Sequence, residues 1–238
     1  MSRRVLLKLS GEVLGGETGQ GLDPESFTAV ASMLAPISAS GVQVAVVVGG
    51  GNLCRGGGLE VPGLPATTAH TAGMLATVMN GLLLNAALRR AGASSEVYTP
   101  WPTGGETTLF SAREARALLA SGGIAILAGG TGNPFFTTDT CAALRALELE
   151  CSEVLKATKV DGIYTADPQK DPSAQRISRI SFSEVLEKGL EVMDAAAVAL
   201  CREHRMPIRV FSMTDKKTVE RALCGEDVGT VVHAEPNH

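Results

Sequence analysis

Short apolar runs alternate with longer segments of helical periodicity along most of this 238-residue chain. The alternation is typical of a parallel β-sheet covered by helices on both faces, because a strand buried on both faces is apolar throughout. The pattern predicts strands at Arg3–Leu9, Val42–Val48, Glu96–Thr99, Ile124–Ala128, Glu153–Ala157, Ile208–Ser212 and Thr230–His233. No repeat, low-complexity tract or linker divides the chain, so we expect a single α/β domain over residues 1–238.

Capping residues and apolar spacing predict the helices. Asp23 followed by Pro24 predicts a helix N-terminus, since aspartate accepts from free N–H groups and proline suits the first helical position. The spacing of apolar residues predicts a long helix over Thr71–Ala91 and another over Asp194–His204. Residues Asp161–Arg179 are rich in Asp, Pro and Gly, and we expect an irregular excursion there.

Composition argues against a membrane protein and against a nucleic-acid binder. The formal net charge is −4, and no dense run of Lys or Arg is present. The start, MSRRVLLKLSGEVLGG, imitates a signal peptide, but Lys8 interrupts its apolar run. No other apolar run approaches the ~20 residues of a membrane span. The cysteines form no CxxC pair and indicate reduced thiols, so we expect a cytoplasmic protein.

The segment Val46–Gly58, VVVGGGNLCRGGG, passes from a buried strand directly into bare backbone. It contains one of three glycine-rich turns that follow predicted strands, at Lys8–Glu12, Gly49–Asn52 and Gly129–Asp139. Ligands of open α/β sheets collect at the carboxyl ends of the strands, and glycine turns let backbone N–H groups approach an anion. The three turns therefore predict a phosphate-binding site at one edge of the sheet.

Charged residues follow the same strands. The cations near these ends are Lys8, Arg55, Lys156 and Lys159. The carboxylates that would orient the lysines, or hold Mg²⁺ through water, are Asp139, Asp161, Asp167 and Asp194. Each feature taken singly has a simpler explanation, as a tight turn, a solvated lysine or a helix N-cap. Together they favour phosphoryl transfer, and because GxxxxGK(S/T) and HRDxxxxN are both missing, we expect a kinase of another fold.

The longest motifs carry a resemblance. The segments LLKLSGE, VVVGGGNLCRG, GMLATVMNG, GTGNPFFTTD, VLKATKVDGIYTADP, SEVLEKGLEVMD and PIRVF resemble bacterial UMP kinases of the amino acid kinase superfamily, over nearly the whole chain. The resemblance implies a three-layer α/β sandwich around a mainly parallel eight-stranded sheet, usually in a homohexamer. It also implies phosphoryl transfer from ATP to UMP, with Mg²⁺ bridging the phosphates. UMP would lie on the part formed by residues 1–150, and ATP on residues 151–238.

The resemblance further implies which residues contact each nucleotide. The implied ATP contacts are Lys8, Leu9, Ser10, Gly11, Gly51, Arg55, Thr158, Tyr164 and Asp167. The implied UMP contacts are Gly50, His70, Thr131, Gly132, Asn133, Pro134, Phe135, Phe136, Thr137 and Thr138. The residues implied in catalysis are Lys8, Arg55, Asp194 and a second lysine, Lys156 or Lys159, of which we favour Lys159. No residue is implied as a direct metal ligand.

One position departs from the family pattern at the acceptor side. His70 stands where these kinases have an aspartate that contacts the UMP ribose, and a histidine cannot supply that anionic acceptor. The change is either a tolerated substitution or one that alters acceptor specificity. A UMP-kinase-like binding or storage protein therefore stays open as an alternative to an active UMP kinase. A kinase for another acceptor is disfavoured by the intact GTGNPFFTTD loop.

A second departure concerns regulation. Many bacterial relatives are activated by GTP and inhibited by UTP, and the GTP lies partly against arginines of the long helix and the following strand. Asn85 and Glu96 occupy the matching positions here. Neutral and acidic side chains disfavour a triphosphate, so we do not expect GTP activation, while UTP inhibition remains implied.

Overall fold

The computed structural model describes residues 3–54, 62–158, 160–166, 171, 173–190, 192–213 and 215–235. The strands of this part of the chain are β1 Arg4–Leu9, β2 Gln43–Val48, β3 Ser95–Thr99, β4 Thr108–Leu109, β5 Ile124–Leu127, β6 Val154–Thr158, β7 Ile163–Tyr164, β8 Arg176–Ile177, β9 Arg179–Ser181, β10 Ile208–Ser212 and β11 Thr230–His233. The main sheet has the order β4-β3-β5-β2-β1-β6-β10-β11-β9. Every neighbouring pair in it is parallel except β10 and β11.

The strands predicted from apolar runs are all present, with small shifts at their ends. The resemblance implied eight strands, and the described residues form nine in the main sheet. The short strands β4 and β9 were not predicted, because two or three residues carry no recognisable apolar run. The segment Asp161–Arg179, expected to be irregular, contains the antiparallel pair β7 and β8.

Helices cover both faces of the sheet. Within the described residues they are α1 Gly11–Leu14, α2 Pro24–Ala39, α3 Ala66–Arg90, α4 Ala112–Ala120, α5 Thr138–Glu148, α6 Phe182–Glu187, α7 Ala195–Glu203 and α8 Lys216–Cys224. Alternate residues of β1 enter separate cores. Val5 and Leu7 pack with α1, α2, α3 and α8, whereas Leu6 packs with the remaining helices. The α/β sandwich of three layers is thereby confirmed.

The helices α2 and α3 differ in how well the sequence marks them. Asp23 caps α2 as predicted, with its Oδ2 accepting from the N–H of Ser26 at 3.0 Å. The helix α3 begins at Ala66, well before the predicted Thr71. By length and composition α3 could also cross a membrane, contrary to the expectation that no apolar segment reaches that length. Half of its most apolar window is buried and the helix packs on α2 and β3, as a core helix does.

Candidate active site

The glycine-rich turns after β1 and β2 touch each other at the carboxyl edge of the sheet. The N–H of Gly49 donates to the carbonyl oxygen of Leu9 at 2.8 Å. A Cβ added to Gly11 would lie 2.6 Å from the backbone nitrogen of Gly51, closer than side chains approach in proteins. Bare backbone therefore lets two neighbouring strand ends come into direct contact.

The first two glycines of VVVGGGNLCRGGG are explained by close packing. A Cβ on Gly50 would lie 2.8 Å from the carbonyl oxygen of Gly73 on α3. Gly49 and Gly50 have no positive φ. Glycine is thus needed here for close approach to the helix and to the first turn. Arg55 and the second triplet, Gly56–Gly58, lie outside the described residues.

The turn after β5 uses glycine for a different reason. Gly129 and Gly130 have φ values of 82° and 60°, in the left-handed region that glycine adopts without steric cost. Phe135 adopts a φ of 72° although it is not glycine. Such backbone strain is found more often at ligand-binding turns than elsewhere. The ring of Phe135 lies 4.9 Å from the ring of His70, centroid to centroid.

Two lysines on neighbouring strands share one carboxylate at this edge. Lys8 on β1 and Lys156 on β6 are register partners, and Asp139 lies in the first turn of α5. The Nζ of Lys156 donates to Asp139 Oδ2 at 2.7 Å and to the carbonyl oxygen of Val192 at 2.6 Å. The Nζ of Lys8 lies 2.8 Å from Asp139 Oδ1, but the contact lacks hydrogen-bond alignment. Lys8 is therefore ion-paired while its N–H groups can still donate to an anionic ligand.

A cleft of about 370 Å³ opens between the turns after β2 and β5. The implied UMP contacts that line it are Gly50, His70, Phe136, Thr137 and Thr138. The other implied UMP contacts, which belong to the same turn after β5 without lining the cleft, are Thr131, Gly132, Asn133, Pro134 and Phe135. The N–H of Asn133 donates to Thr131 Oγ1 at 3.2 Å, which stabilises the turn itself.

Comparison with known proteins identifies the fold family. A sequence model of the amino acid kinase family matches residues 3–212. The chain belongs to the amino acid kinase family. A curated relative, the uridylate kinase of Pseudoalteromonas atlantica, is 48% identical over 97% of this chain and 93% of its own length. The solved UMP kinase of Bacillus anthracis has a TM-score of 0.93 and 33% identity, covering 98% of this chain and 97% of that one. The UMP kinase of Ureaplasma parvum gives 0.91 and 32%, over 98% and 99%.

In this amino acid kinase the implied ATP contacts lie at the ends of β1, β2 and β6 and on β7. Those that the structure describes are Lys8, Leu9, Ser10, Gly11, Gly51, Thr158 and Tyr164, and those outside the described residues are Arg55 and Asp167. Leu9 is fully buried, so a ligand can meet only its backbone. The hydroxyl of Tyr164 donates to Asp161 Oδ1 at 2.8 Å. That hydrogen bond raises the pKa of Tyr164 above its ordinary value.

Asp194 holds two helix N-termini together in this kinase fold. It caps α7 by accepting from the N–H of Ala197 at 2.9 Å. It also accepts from the N–H and the hydroxyl of Thr140 at 3.2 and 2.8 Å, and from the hydroxyl of Thr137. Burial alone would raise the pKa of Asp194, but these hydrogen bonds outweigh it and lower the pKa. Among the described ion pairs Asp194 has none with a lysine, so its implied catalytic role stays a prediction.

The described lysine beside Lys8 is Lys156, and Lys159, which we favoured, lies outside the described residues. Sequence reasoning also missed Thr77 and Asn80 on α3. Their side chains are buried and hydrogen-bonded to the glycine turns. The available signal was two polar residues, three positions apart, inside the otherwise apolar stretch MLATVMNG.

Proposed function

We propose that this chain transfers the γ-phosphoryl group of ATP to UMP, giving ADP and UDP in pyrimidine nucleotide biosynthesis. The observation that carries the proposal is the pair Lys8 and Lys156 held by Asp139 at the edge where the glycine turns meet. Phosphoryl transfer requires mainly positioning and charge neutralisation, and lysines beside bare backbone supply both. The relatives named uridylate kinase and UMP kinase are the reason for choosing UMP as acceptor.

We assign Lys8 the role of neutralising the negative charge that develops on the transferred phosphoryl group. Asp139 and Val192 both accept from Lys156, which constrains its ammonium group. Lys8 has only an unaligned ion pair with Asp139 among its described contacts, so its donors can turn toward phosphate oxygens. Lys156 then serves to keep Asp139, and through it Lys8, in place. The role implied for Arg55 as a fixed positive charge remains a prediction.

Mg²⁺ would enter with ATP and neutralise part of the phosphate charge. Among the described residues, no group of three or more His, Cys, Asp or Glu side chains is arranged to hold a metal ion. Asp139 already has a lysine at each of its oxygens. We therefore assign the metal to the nucleotide phosphates rather than to a protein site.

UMP would occupy the cleft between the turns after β2 and β5. The dipole at the N-terminus of α5 would favour its phosphate, although Thr137 already accepts from the N–H groups of Asp139 and Thr140. The exposed rings of Phe135 and Phe136 would frame the base, where selectivity among pyrimidines must arise. His70 lines the same cleft and would hydrogen-bond a ribose hydroxyl in place of an anionic acceptor.

We also propose assembly into a homohexamer. Leu75, Met79 and Leu83 lie four residues apart on α3 and are 46%, 49% and 40% exposed. This apolar stripe supports self-association, because burial against a second copy would remove it from water. The subunit number comes from the resemblance alone. A cytoplasmic location accords with the free cysteines of the chain.

The proposed response to GTP and UTP depends on Asn85 and Glu96, which stand where many relatives have arginines. Asn85 Oδ1 accepts from the hydroxyl of Ser95 at 2.6 Å, and Glu96 Oε1 accepts from the hydroxyl of Thr108 at 2.9 Å. Both side chains are engaged within the chain, and neither carries positive charge, so GTP activation is not expected. UTP shares the base and ribose of UMP, and we expect it to inhibit.

A coupled assay of ADP release tests the proposed function. Turnover is expected with UMP and ATP, and little with CMP, with dUMP or without an acceptor. Lys8→Ala should abolish it, whereas Lys188→Ala, which removes an exposed lysine paired with Glu184, should not. Tight ATP binding without any turnover would contradict the kinase assignment and favour a binding or storage protein, an alternative that no described residue supports at present.

A further inference from the structure

Two buried polar side chains of α3 contact the glycine turns on either side of the cleft, and the proposed reaction assigns them no role. Thr77 is 2% exposed and Asn80 is fully buried. They are three residues apart in the helix, so they project from the same face. Buried polar groups are normally hydrogen-bonded, and their partners show what each one holds.

Thr77 connects α3 to the turn after β5. Its Oγ1 accepts from the N–H of Gly129 at 2.6 Å. The same hydroxyl donates to the carbonyl oxygen of Met74, one turn earlier in the helix, at 2.7 Å. The bond to its own helix fixes the direction of the hydroxyl, which leaves an oxygen lone pair for Gly129. The start of the turn is therefore held at a defined distance from the helix.

Asn80 connects α3 to the turn after β2. Its Nδ2 donates to the carbonyl oxygen of Gly49 at 2.8 Å and to Asn52 Oδ1 at 2.7 Å. The side chain of Asn52 donates back to Asn80 Oδ1 at 3.2 Å and to the carbonyl oxygen of Gly21 at 2.7 Å. Gly49 and Asn52 are the first and last residues of that turn. One amide thus fixes both ends of it.

We propose that Thr77 and Asn80 are positioning residues that set the separation of the two turns across the cleft. The inference rests on the proposed function, in which these turns hold the reacting nucleotides. Because one rigid helix face bonds to both turns, α3 acts as a spacer between them. A displacement of reacting groups by about 1 Å can cost about 100-fold in rate, so this spacing matters for chemistry.

The test compares variants that keep or remove the key atoms. Thr77→Val preserves the shape without the hydroxyl, Thr77→Ser preserves the hydroxyl, and Asn80→Leu removes the amide. The matched control is Ser38→Ala. Ser38 is a buried helix hydroxyl bonded to the carbonyl oxygen of Gly122 at 2.8 Å, at the amino end of β5 and away from the cleft.

We expect the variants at Thr77 and Asn80 to lower kcat, and the control variant to lower stability without lowering kcat. In Thr77→Val and Asn80→Leu, kcat with UMP should fall about 10- to 100-fold, with smaller changes in KM. Thr77→Ser should stay within about twofold of the unsubstituted chain. Ser38→Ala should lower Tm by a similar amount and leave kcat unchanged. Thr77→Val with a lowered Tm but an unchanged kcat would overturn the proposal. This result would be decisive even if Asn80→Leu failed to fold.

A second readout separates this inference from the proposed function. Exchange of the Gly129 amide proton should accelerate at least about 10-fold in Thr77→Val and should be unchanged in Thr77→Ser and Ser38→Ala. If the unsubstituted chain shows no turnover with UMP, the proposed function fails, and the exchange rates alone decide whether Thr77 holds the turn. Equal exchange rates in all of these proteins would refute the positioning role.

Discussion

Replacement of Asp139 by asparagine tests the shared carboxylate most directly. Asp139 lies 2.8 Å from the Nζ of Lys8 and 2.7 Å from the Nζ of Lys156, and the three side chains are 13%, 13% and 18% exposed. Asparagine has nearly the same shape and no charge. The change therefore leaves two mostly buried ammonium groups near each other without this counter-charge.

The loss of this counter-charge should lower both the free energy of unfolding and the rate. Removing one partner of a buried ion pair costs about 3–5 kcal/mol, because an uncompensated charge stays behind. The partial exposure here favours the lower end, about 3 kcal/mol. For a domain of this size that corresponds to a fall in Tm of about 6–12 °C. The rate should suffer more, with kcat about 100- to 1000-fold lower, as when one preorganised electrostatic group is removed.

The assay is ADP release at saturating ATP and UMP, accompanied by thermal unfolding. A second protein, Lys8→Met combined with Asp139→Asn, removes one of the uncompensated charges. It should be more stable than Asp139→Asn alone and no more active. The reasoning is refuted if Asp139→Asn keeps kcat within about threefold of the unsubstituted chain, or if the double variant is the less stable of the two.

Three further changes probe other parts of the site. Gly50→Ala places a Cβ 2.8 Å from a backbone oxygen of α3 and should lower kcat/KM for UMP at least about 10-fold; full activity would contradict the close-approach explanation. His70→Asp should lower the KM for UMP, and an unchanged or higher KM in steady-state kinetics would count against a ribose contact. Asp194→Asn should cost about 1–2 kcal/mol at pH 7, because an amide has one acceptor oxygen and would leave a donor of Thr140 or Ala197 without its partner. Because the pKa of Asp194 is lowered in the fold, its contribution is present above the ordinary value of 3.8 and is lost as pH falls below it; denaturant unfolding curves that stay separated at the lowest pH would contradict this.

The sheet could be predicted because its central strands are apolar on both faces. The exceptions have physical causes. The strand β4 has only two residues, one of them exposed, and so carries no apolar run. The start of α3 was placed too late because Pro65 occupies its N-cap position and makes no side-chain hydrogen bond to the helix. Without a Ser, Thr, Asp or Asn cap, the sequence offered no signal at Ala66.

The site could be predicted as a place but not as a set of contacts. Lys8 and Lys156 lie near the carboxyl ends of strands that were predicted to belong to one parallel sheet, so their presence at one edge follows from that prediction. Which of the candidate carboxylates pairs with these lysines could not be predicted in this way. Asp139 reaches both lysines because α5 directs its first turn at the ends of β1 and β6, whereas Asp194 is used by two helix N-termini. The spacing of residues in the sequence does not show which helix N-terminus packs against the ends of β1 and β6.

The two glycine turns look alike in sequence and differ in what they require. The turn after β2 needs glycine because α3 lies against it, and the turn after β5 needs glycine because its backbone is left-handed. Both turns are bonded to the same face of α3, while another face of that helix carries the exposed stripe Leu75, Met79 and Leu83. If a second copy covers this stripe, assembly restrains the helix that spaces the turns. Dilution to monomers should then lower kcat before it unfolds the chain, and a kcat independent of protein concentration across dissociation would show that α3 needs no partner to hold the site.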